Sequence, residues 1–479
     1  MSRTRRTLGQ ALLLMVSMWV PASGSATQYY VDGSSPQADD KNAGTTLASP
    51  WKTIQKAAAT MVAGDTVSIV AGTYKEAIAM QHSGTAAARI TYQSHGGGTV
   101  VIPQALKVSK DYIIVKGLEV SGDSLTVDGS HCQILECNVH DSGTFGMFIH
   151  GSYHLLKGNK VTNNGSSWGG QITTGWGNGA HHLVFENNDI GDPGGKGEDL
   201  MQYMAHDVII RGNTLHHLGS NGRHNDVYQS GGGEYNIWFI NNRFENLDNI
   251  QYFMIGPSGD HDHVWRGNLF WGGIGWGFNG TPAGMRVMNN TFSLVAGGGA
   301  GNWGVGGCGK ARNNIFSPPG SDGHHGDMDY GCVYPVPCCS DKGPHDLWGV
   351  DPKFVDAAKR DYHLQSTSPC IDAGTFLTTT ASAGSGTKLP VTDARLFVDG
   401  FGIADGDSIQ LQGQTQVAKV TQIDYSTNTL TLDTTLTWAK GLGVSAPYSG
   451  TAPDIGAFEH GSGPVVTAPP AAPTGLTVQ

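Results

Sequence analysis

Arg223 to Phe244 reads RHNDVYQSGGGEYNIWFINNRF, and its last four residues are one copy of a phrase that recurs through the middle of the chain. An apolar strand ends in Asn, one further residue and an apolar residue: GNKV, NNDI, GNTL, NNRF, GNLF, NNTF and NNIF. The Asn positions are Asn159, Asn188, Asn213, Asn242, Asn268, Asn290 and Asn314, with Leu118 and Cys137 in the same place earlier. Their spacings run from 19 to 29 residues, the length of one solenoid coil. Inward Asn at equivalent turns bonds side chain to backbone along the axis, and so satisfies a bend that would otherwise bury bare polar groups. His181, His206, Tyr235 and His261 form a second file, each seven residues before an Asn. They read as rings stacked at a turn, because metal ligands converge on a point instead of spreading along an axis.

Composition agrees with many tight turns and short strands: 70 glycines in 479 residues, with charge sparse at 14%. The net charge is −11. Such a chain repels nucleic acid and anionic membranes unless it presents a local basic site or bound cations.

Residues 1–26 read as a secretory signal. Arg3, Arg5 and Arg6 form a basic start, Ala11 to Val20 an apolar core, and Gly24-Ser25-Ala26 a cleavage site. Arg5-Arg6 also leaves a twin-arginine route open. The apolar stretch is too short for a membrane span, and no later stretch is longer. The expectation is a secreted chain, periplasmic or extracellular, and a monomer. Seven cysteines suit an oxidising compartment. Cys308, Cys332, Cys338 and Cys339 cluster near His324 and His325. Their spacing fits no zinc pattern, so disulfides are expected there.

Residues 27–110 read as an N-terminal cap and first coils. A short strand in TQYYVDG precedes a helix from Trp51 to Val62, with Ser49 as N-cap, Pro50 in the first turn and Gly64 at its end. A strand from Asp65 to Val70 follows. The stretch YYVDG…GTTLASPWKTIQKAAATMVAGDTVSIVAGTYKE resembles the N-terminal cap of right-handed parallel β-helix proteins of the pectate-lyase-like superfamily. DPKFVD, DYHLQSTSPCIDAGT and APDIGAFE resemble the closing segment of the same group. The resemblance implies an all-β, right-handed parallel β-helix over 111–374 that closes at 451–460. These motifs mark architecture and occur with many activities.

Residues 375–450 break the repeat. DSIQLQ, QVAKVTQI and NTLTLDTTL alternate as strands, so this stretch reads as a small inserted antiparallel β module. Residues 461–479 are a Pro- and Ala-rich linker.

Chemistry is expected on the strand that follows each Asn turn. Aligned, four such strands read GQITTGW, EDLMQYM, NDVYQSG and NIQYFMI. Alternation turns Ile172, Leu200, Val227 and Ile250 inward and Gln171, Asp199, Asp226 and Asn249 outward, followed by Thr173, Met201, Tyr228 and Gln251. Asp199 and Asp226 then stand on adjacent rungs about 4.8 Å apart, where two carboxylates share a proton or a cation. Glu198, Asp199 and Asp226 are the expected ligands of a hard cation, Ca2+. Gln171, Asn249, Gln251 and Trp176 are the expected substrate contacts. Trp168, Trp271 and Trp276 also sit among glycines near this face, whereas Trp238 and Trp265 fall within apolar strands.

The superfamily includes calcium-dependent lyases of uronate polysaccharides, and the resemblance implies that chemistry here: an acidified C5 proton, removal by a base, and β-elimination. Lys196 and Arg223 are the first candidates for base or carboxylate neutraliser, with His224 and Tyr228 next. A glycoside hydrolase using Asp199 and Asp226 is the nearest alternative. A non-catalytic carbohydrate-binding or cell-surface β-helix is the alternative of a different class.

Overall fold

The computed structural model describes residues 26–166, 169–175, 179–218, 225–245, 252–254, 259–272, 282–293, 309–317, 327–335 and 342–461. Among the described residues, three parallel sheets build a solenoid. Sheet I has thirteen strands, from Gln28–Val31 to Met328–Asp329; sheet II has thirteen, from Gly72–Thr73 to Leu347–Trp348; sheet III has eight, from Ile78–Ala79 to Tyr252–Met254. A coil passes from sheet III (Ile172–Thr173) to sheet I (His181–Glu186), then sheet II (Asp189–Asp192), and returns to sheet III at Met201–Gln202.

The Asn corner between sheets I and II holds this stack in register. Asn188 Oδ1 accepts the backbone N–H of Asn159 at 2.9 Å, and Asn213 Oδ1 accepts that of Asn188 at 2.8 Å. The same bond continues through Asn242, Asn268, Asn290 and Asn314. Each side-chain amide also donates across the corner, as Asn213 does to Phe185 O at 2.9 Å. The residue before each of the seven corner Asn is left-handed, with φ of +55° at Asn187 and +64° at Gly212, which explains why Asn or Gly stands there. At Gly212 a Cβ would come within 2.3 Å of Asn187 Oδ1. Inside sheet II, Phe244, Phe270, Phe292 and Phe316 stack with centroids 4.7, 4.5 and 4.9 Å apart.

The ring file behaves as the sequence suggests. His181, His206, Tyr235 and His261 stack at 5.2, 4.6 and 5.0 Å with nearly parallel planes. Trp265 is fully buried and stacks on Phe239 at 3.7 Å.

The cap helix is shorter than expected. It spans Ile54–Thr60, capped by Thr53 and not Ser49, and it ends at Met61 before Gly64. Trp51 is extended because its N–H donates to Tyr30 O and its carbonyl accepts from Asp32, while its ring stacks on Tyr29 at 4.3 Å. Glu76 accepts from the Ile54 and Gln55 N–H groups and completes the cap.

The inserted module is a six-stranded antiparallel sheet running from Thr378–Thr379 to Gly443–Ser445. It lies on the outer face of sheet I. Val184, Ile209, Trp238 and Val264 point out of that sheet and share a core with Leu389, Leu396, Phe397 and Val398. Strands buried on both faces read as continuous apolar runs, and IWFI and VIIR do so for this reason. Trp238 Nε1 donates to Arg395 O at 2.7 Å, and one Arg266 nitrogen reaches both oxygens of Asp407 at 2.9 and 2.8 Å.

Candidate functional site on sheet III

Asp199 and Asp226 enter sheet III one coil apart, as their alignment requires: Met201 pairs with Tyr228 and Gln202 with Gln229. The alignment with the preceding coil is shifted by one residue. Ile172 pairs with Met201, not Leu200, so Gln171 stands out of line with Asp199. The cause is the turn before the strand, where Gln171 folds back on Asn164. Its Oε1 accepts from the Asn164 N–H at 3.0 Å and its Nε2 donates to Asn164 O at 2.7 Å. Gln171 is fully buried and continues the polar corner of the scaffold, so it is not a substrate contact.

The Asp pair itself is tightly organised. Asp199 Oδ1 accepts the Asp226 N–H at 2.8 Å, and Asp199 Oδ2 accepts from Gln202 Nε2. Both aspartates are buried, with 1% and 0% of their surfaces exposed, which corrects the expectation of an open polar file. Burial pushes the Asp199 carboxyl up to about 7, against the pull of its hydrogen bonds from Gln202 and Asp226. Gln202 Oε1 is buried beside this pair without a hydrogen-bond partner, while Gln202 Nε2 lies 3.5 Å from Gln229 Oε1 on the next rung. Glu198 is half-buried next to Asp199 in sequence and adds to its raised carboxyl. Among the described residues no three His, Cys, Asp or Glu side chains converge as metal ligands. A Ca2+ site therefore has to draw on amide oxygen as well. Asp199, Asp226 and Gln202 Oε1 are the oxygen donors that fit, because the orphaned amide oxygen lacks the partner a cation provides.

Two of the expected catalytic groups are elsewhere. Lys196 turns away to Asp141 Oδ1 at 2.7 Å, in an exposed pair shared with His140. Tyr228 is fully buried and not exposed. Its pairing with Met201 and Ile172 faces it into the core, where it packs against Phe239 at 5.1 Å and its hydroxyl donates to Glu234 Oε2. A phenol in that position does not meet a polymer. Arg223, His224, Asn249, Gln251 and Trp176 lie outside the described residues, as do Trp168 and Trp276. Trp271 belongs to sheet II, where Arg360 lies 4.0 Å from its ring centroid.

Sequence reasoning missed a buried acidic corner one turn further on. Glu234 Oε1 accepts from the Gly231 N–H, the Glu234 N–H donates to Asp260 Oδ1 at 2.9 Å, and Ser230 donates to Asp260 Oδ2 at 2.6 Å. Burial lifts the Glu234 carboxyl to about 8 and lowers the buried His263 imidazole, beside the Glu234 backbone, to about 4. The signal lay in SGGGE: three glycines end a strand and deliver one acid to the turn.

Fold and geometry define a parallel β-helix carrying an accessory antiparallel module, with a carboxylate–amide cluster on sheet III. Residues 29–187, a third of the chain, match the model of the family "Pel9A-like, right handed beta helix region". The resemblance to pectate-lyase-like β-helices holds for that stretch. The uncharacterised protein YwoF of Bacillus subtilis (strain 168) is 30% identical over 129 residues, which is 27% of either chain. Among solved structures, pectate lyase Pel9A is 16% identical with a TM-score of 0.47, covering 91% of this chain and 97% of its own. GH136 lacto-N-biosidase from Eubacterium ramulus is 13% identical with a TM-score of 0.40, covering 67% and 65%.

Proposed function

We propose that this protein is a polysaccharide-degrading enzyme working at sheet III, and that it is a calcium-assisted lyase of a uronate-containing polysaccharide. The observation that carries this reading is the Asp199–Gln202–Asp226 cluster: two carboxylates on adjacent rungs with an orphaned amide oxygen beside them. Asp199 and Asp226 would hold the cation with Gln202. Bound there, calcium would supply positive charge to a uronate carboxylate and acidify its C5 proton. The chain's own part is to fix the donors: the Asp226 N–H orients one Asp199 oxygen and Gln202 the other. The family matched by residues 29–187 supports a glycan substrate.

Asp199 supports a second reading. A buried carboxyl near 7 suits the general acid of a glycoside hydrolase, with Asp226 on the next rung as nucleophile or base. Products separate the two. The protein is incubated with pectate, alginate, glycosaminoglycans and neutral glycans, with calcium or with chelator. Ultraviolet-absorbing unsaturated ends that vanish with chelator support the lyase; new reducing ends without ultraviolet absorbance establish the hydrolase. No product from any glycan leaves the binding protein as the answer. Secretion of the chain belongs to the same proposal, since the leader it was read from lies outside the described residues.

A further inference from the structure

Of the cysteine cluster expected from the sequence, Cys332 lies among the described residues. Cys308, Cys338 and Cys339 lie outside the described residues, and the thiol that meets Cys332 is Cys370, to which it is hydrogen-bonded. The two belong to different parts of the fold. Cys332 opens the strand Cys332–Val333 of sheet II, in register with Ile315. Cys370 lies in the closing segment SPCIDAGT, where its N–H donates to Ser368 Oγ at 3.1 Å and its carbonyl accepts from Ile455 at 3.0 Å. Both cysteines are fully buried in one small core with Ile315, Leu364 and Ile455, separate from the core of the solenoid. This core seats the closing segment against the outer face of the last coils.

We infer that Cys332 and Cys370 form a structural disulfide that fastens the closing segment to the final coils of sheet II. The backbone anchors support it: Cys332 N–H donates to Asn314 O and Cys370 is held through Ile455 and Ser368, so both cysteines are fixed by their main chains before any bond forms. Contact across elements far apart in sequence is the arrangement in which a cross-link restricts the unfolded chain most. The step is a two-electron oxidation: both S–H bonds break, one S–S bond forms, two protons leave, and the electrons pass to a disulfide oxidant such as oxidised glutathione, which becomes two thiols. The hydrogen bond from Cys370 and burial hold the Cys332 thiol far above its ordinary range. Since the thiolate is the attacking species, a pair so buried resists exchange once the bond is made.

The test uses the full chain produced in an oxidising compartment, unfolded in denaturant with an alkylating agent, digested and mapped by mass. The expected result is one peptide pair containing Cys332 and Cys370, unalkylated and lighter by two hydrogens than the two free peptides together. After reduction the pair separates, and the melting temperature of the intact protein falls by a few degrees. Alkyl adducts on both residues, or a link from Cys332 to Cys308, Cys338 or Cys339, would overturn the inference. The Cys332→Ser, Cys370→Ser double variant keeps the small core filled. It should melt at the same temperature with and without reductant, below the oxidised parent. A melting temperature equal to that of the oxidised protein counts against the bond.

Discussion

The Asp226 backbone N–H donates to Asp199 Oδ1 at 2.8 Å, so one rung of sheet III fixes the carboxyl of the rung before it. Orientation by main chain is rigid.

Asp199→Asn keeps the shape and the acceptor oxygen but removes the charge. Turnover should fall by at least about 100-fold, the scale of a lost catalytic or ligating carboxylate. Thermal melts with calcium added test the cation apart from turnover. The ion should raise the melting temperature of the parent and leave Asp199→Asn unmoved; equal shifts would exclude Asp199 as a ligand.

Asp199 also sets a pH dependence. Its carboxyl titrates near 7 when folded and near 3.9 when unfolded. A raised acid contributes stability that is full below about 4 and is lost as pH rises through about 7. Denaturant midpoints measured without calcium should therefore decline between those limits, and the decline should be shallower in Asp199→Asn.

Glu234 extends the same slope upward, because burial holds its carboxyl at about 8. Stability is full below about 4.3 and falls as pH passes 8. Glu234→Gln keeps an acceptor for Tyr228 and should flatten the alkaline part of the curve. An unchanged alkaline slope would place its cause elsewhere.

Asn213→Ala removes the acceptor for Asn188 N–H and the donor to Phe185 O in one step. Each stranded group costs about 1–3 kcal/mol, so urea midpoints should report a loss of roughly 2–6 kcal/mol. Asn236→Ala, whose amide bonds the part-buried Asp207 and Arg395 where water can still reach, should cost less.

Trp238→Ala empties the interface under the module. A fully buried Trp truncated to Ala costs about 3–5 kcal/mol. Because the loss falls between two cores, protease should cleave the module before the solenoid, giving a resistant core fragment. Simultaneous cleavage of both would show that they unfold as one unit.

Much of the fold was legible because its determinants repeat. The Asn–x–apolar phrase recurs with Gly or Asn ahead of it, and both follow from one left-handed corner copied along the axis. The module was legible as an interruption, although its docking face was not; only the apolar outward residues Val184, Ile209, Trp238 and Val264 hinted at it. The site was legible in part. Asp199 and Asp226 could be aligned from strand spacing. Tyr228 and Gln171 could not, since their direction is decided by the turns that flank the strands: a Gln folded back on Asn164 before one, and an acid at Glu234 after the other. Lys196 was misassigned for a similar reason, as a turn lysine is claimed by whichever carboxylate the turn brings near, here Asp141.

The Asn corner has a polarity. Every amide oxygen reaches back to the coil before it, from Asn159 satisfying Cys137 through Asn314 satisfying Asn290. A nascent chain that emerges N-terminus first therefore always ends in a coil whose corner waits on residues not yet delivered. Arrival of each new coil completes its predecessor and opens a fresh deficit. Beside the last corner, Thr375 bonds Asn313 through both its N–H and its carbonyl just before the module begins. Truncating the chain anywhere inside the repeat should leave a sticky growing end, so the shortest soluble fragment is one that keeps its terminus.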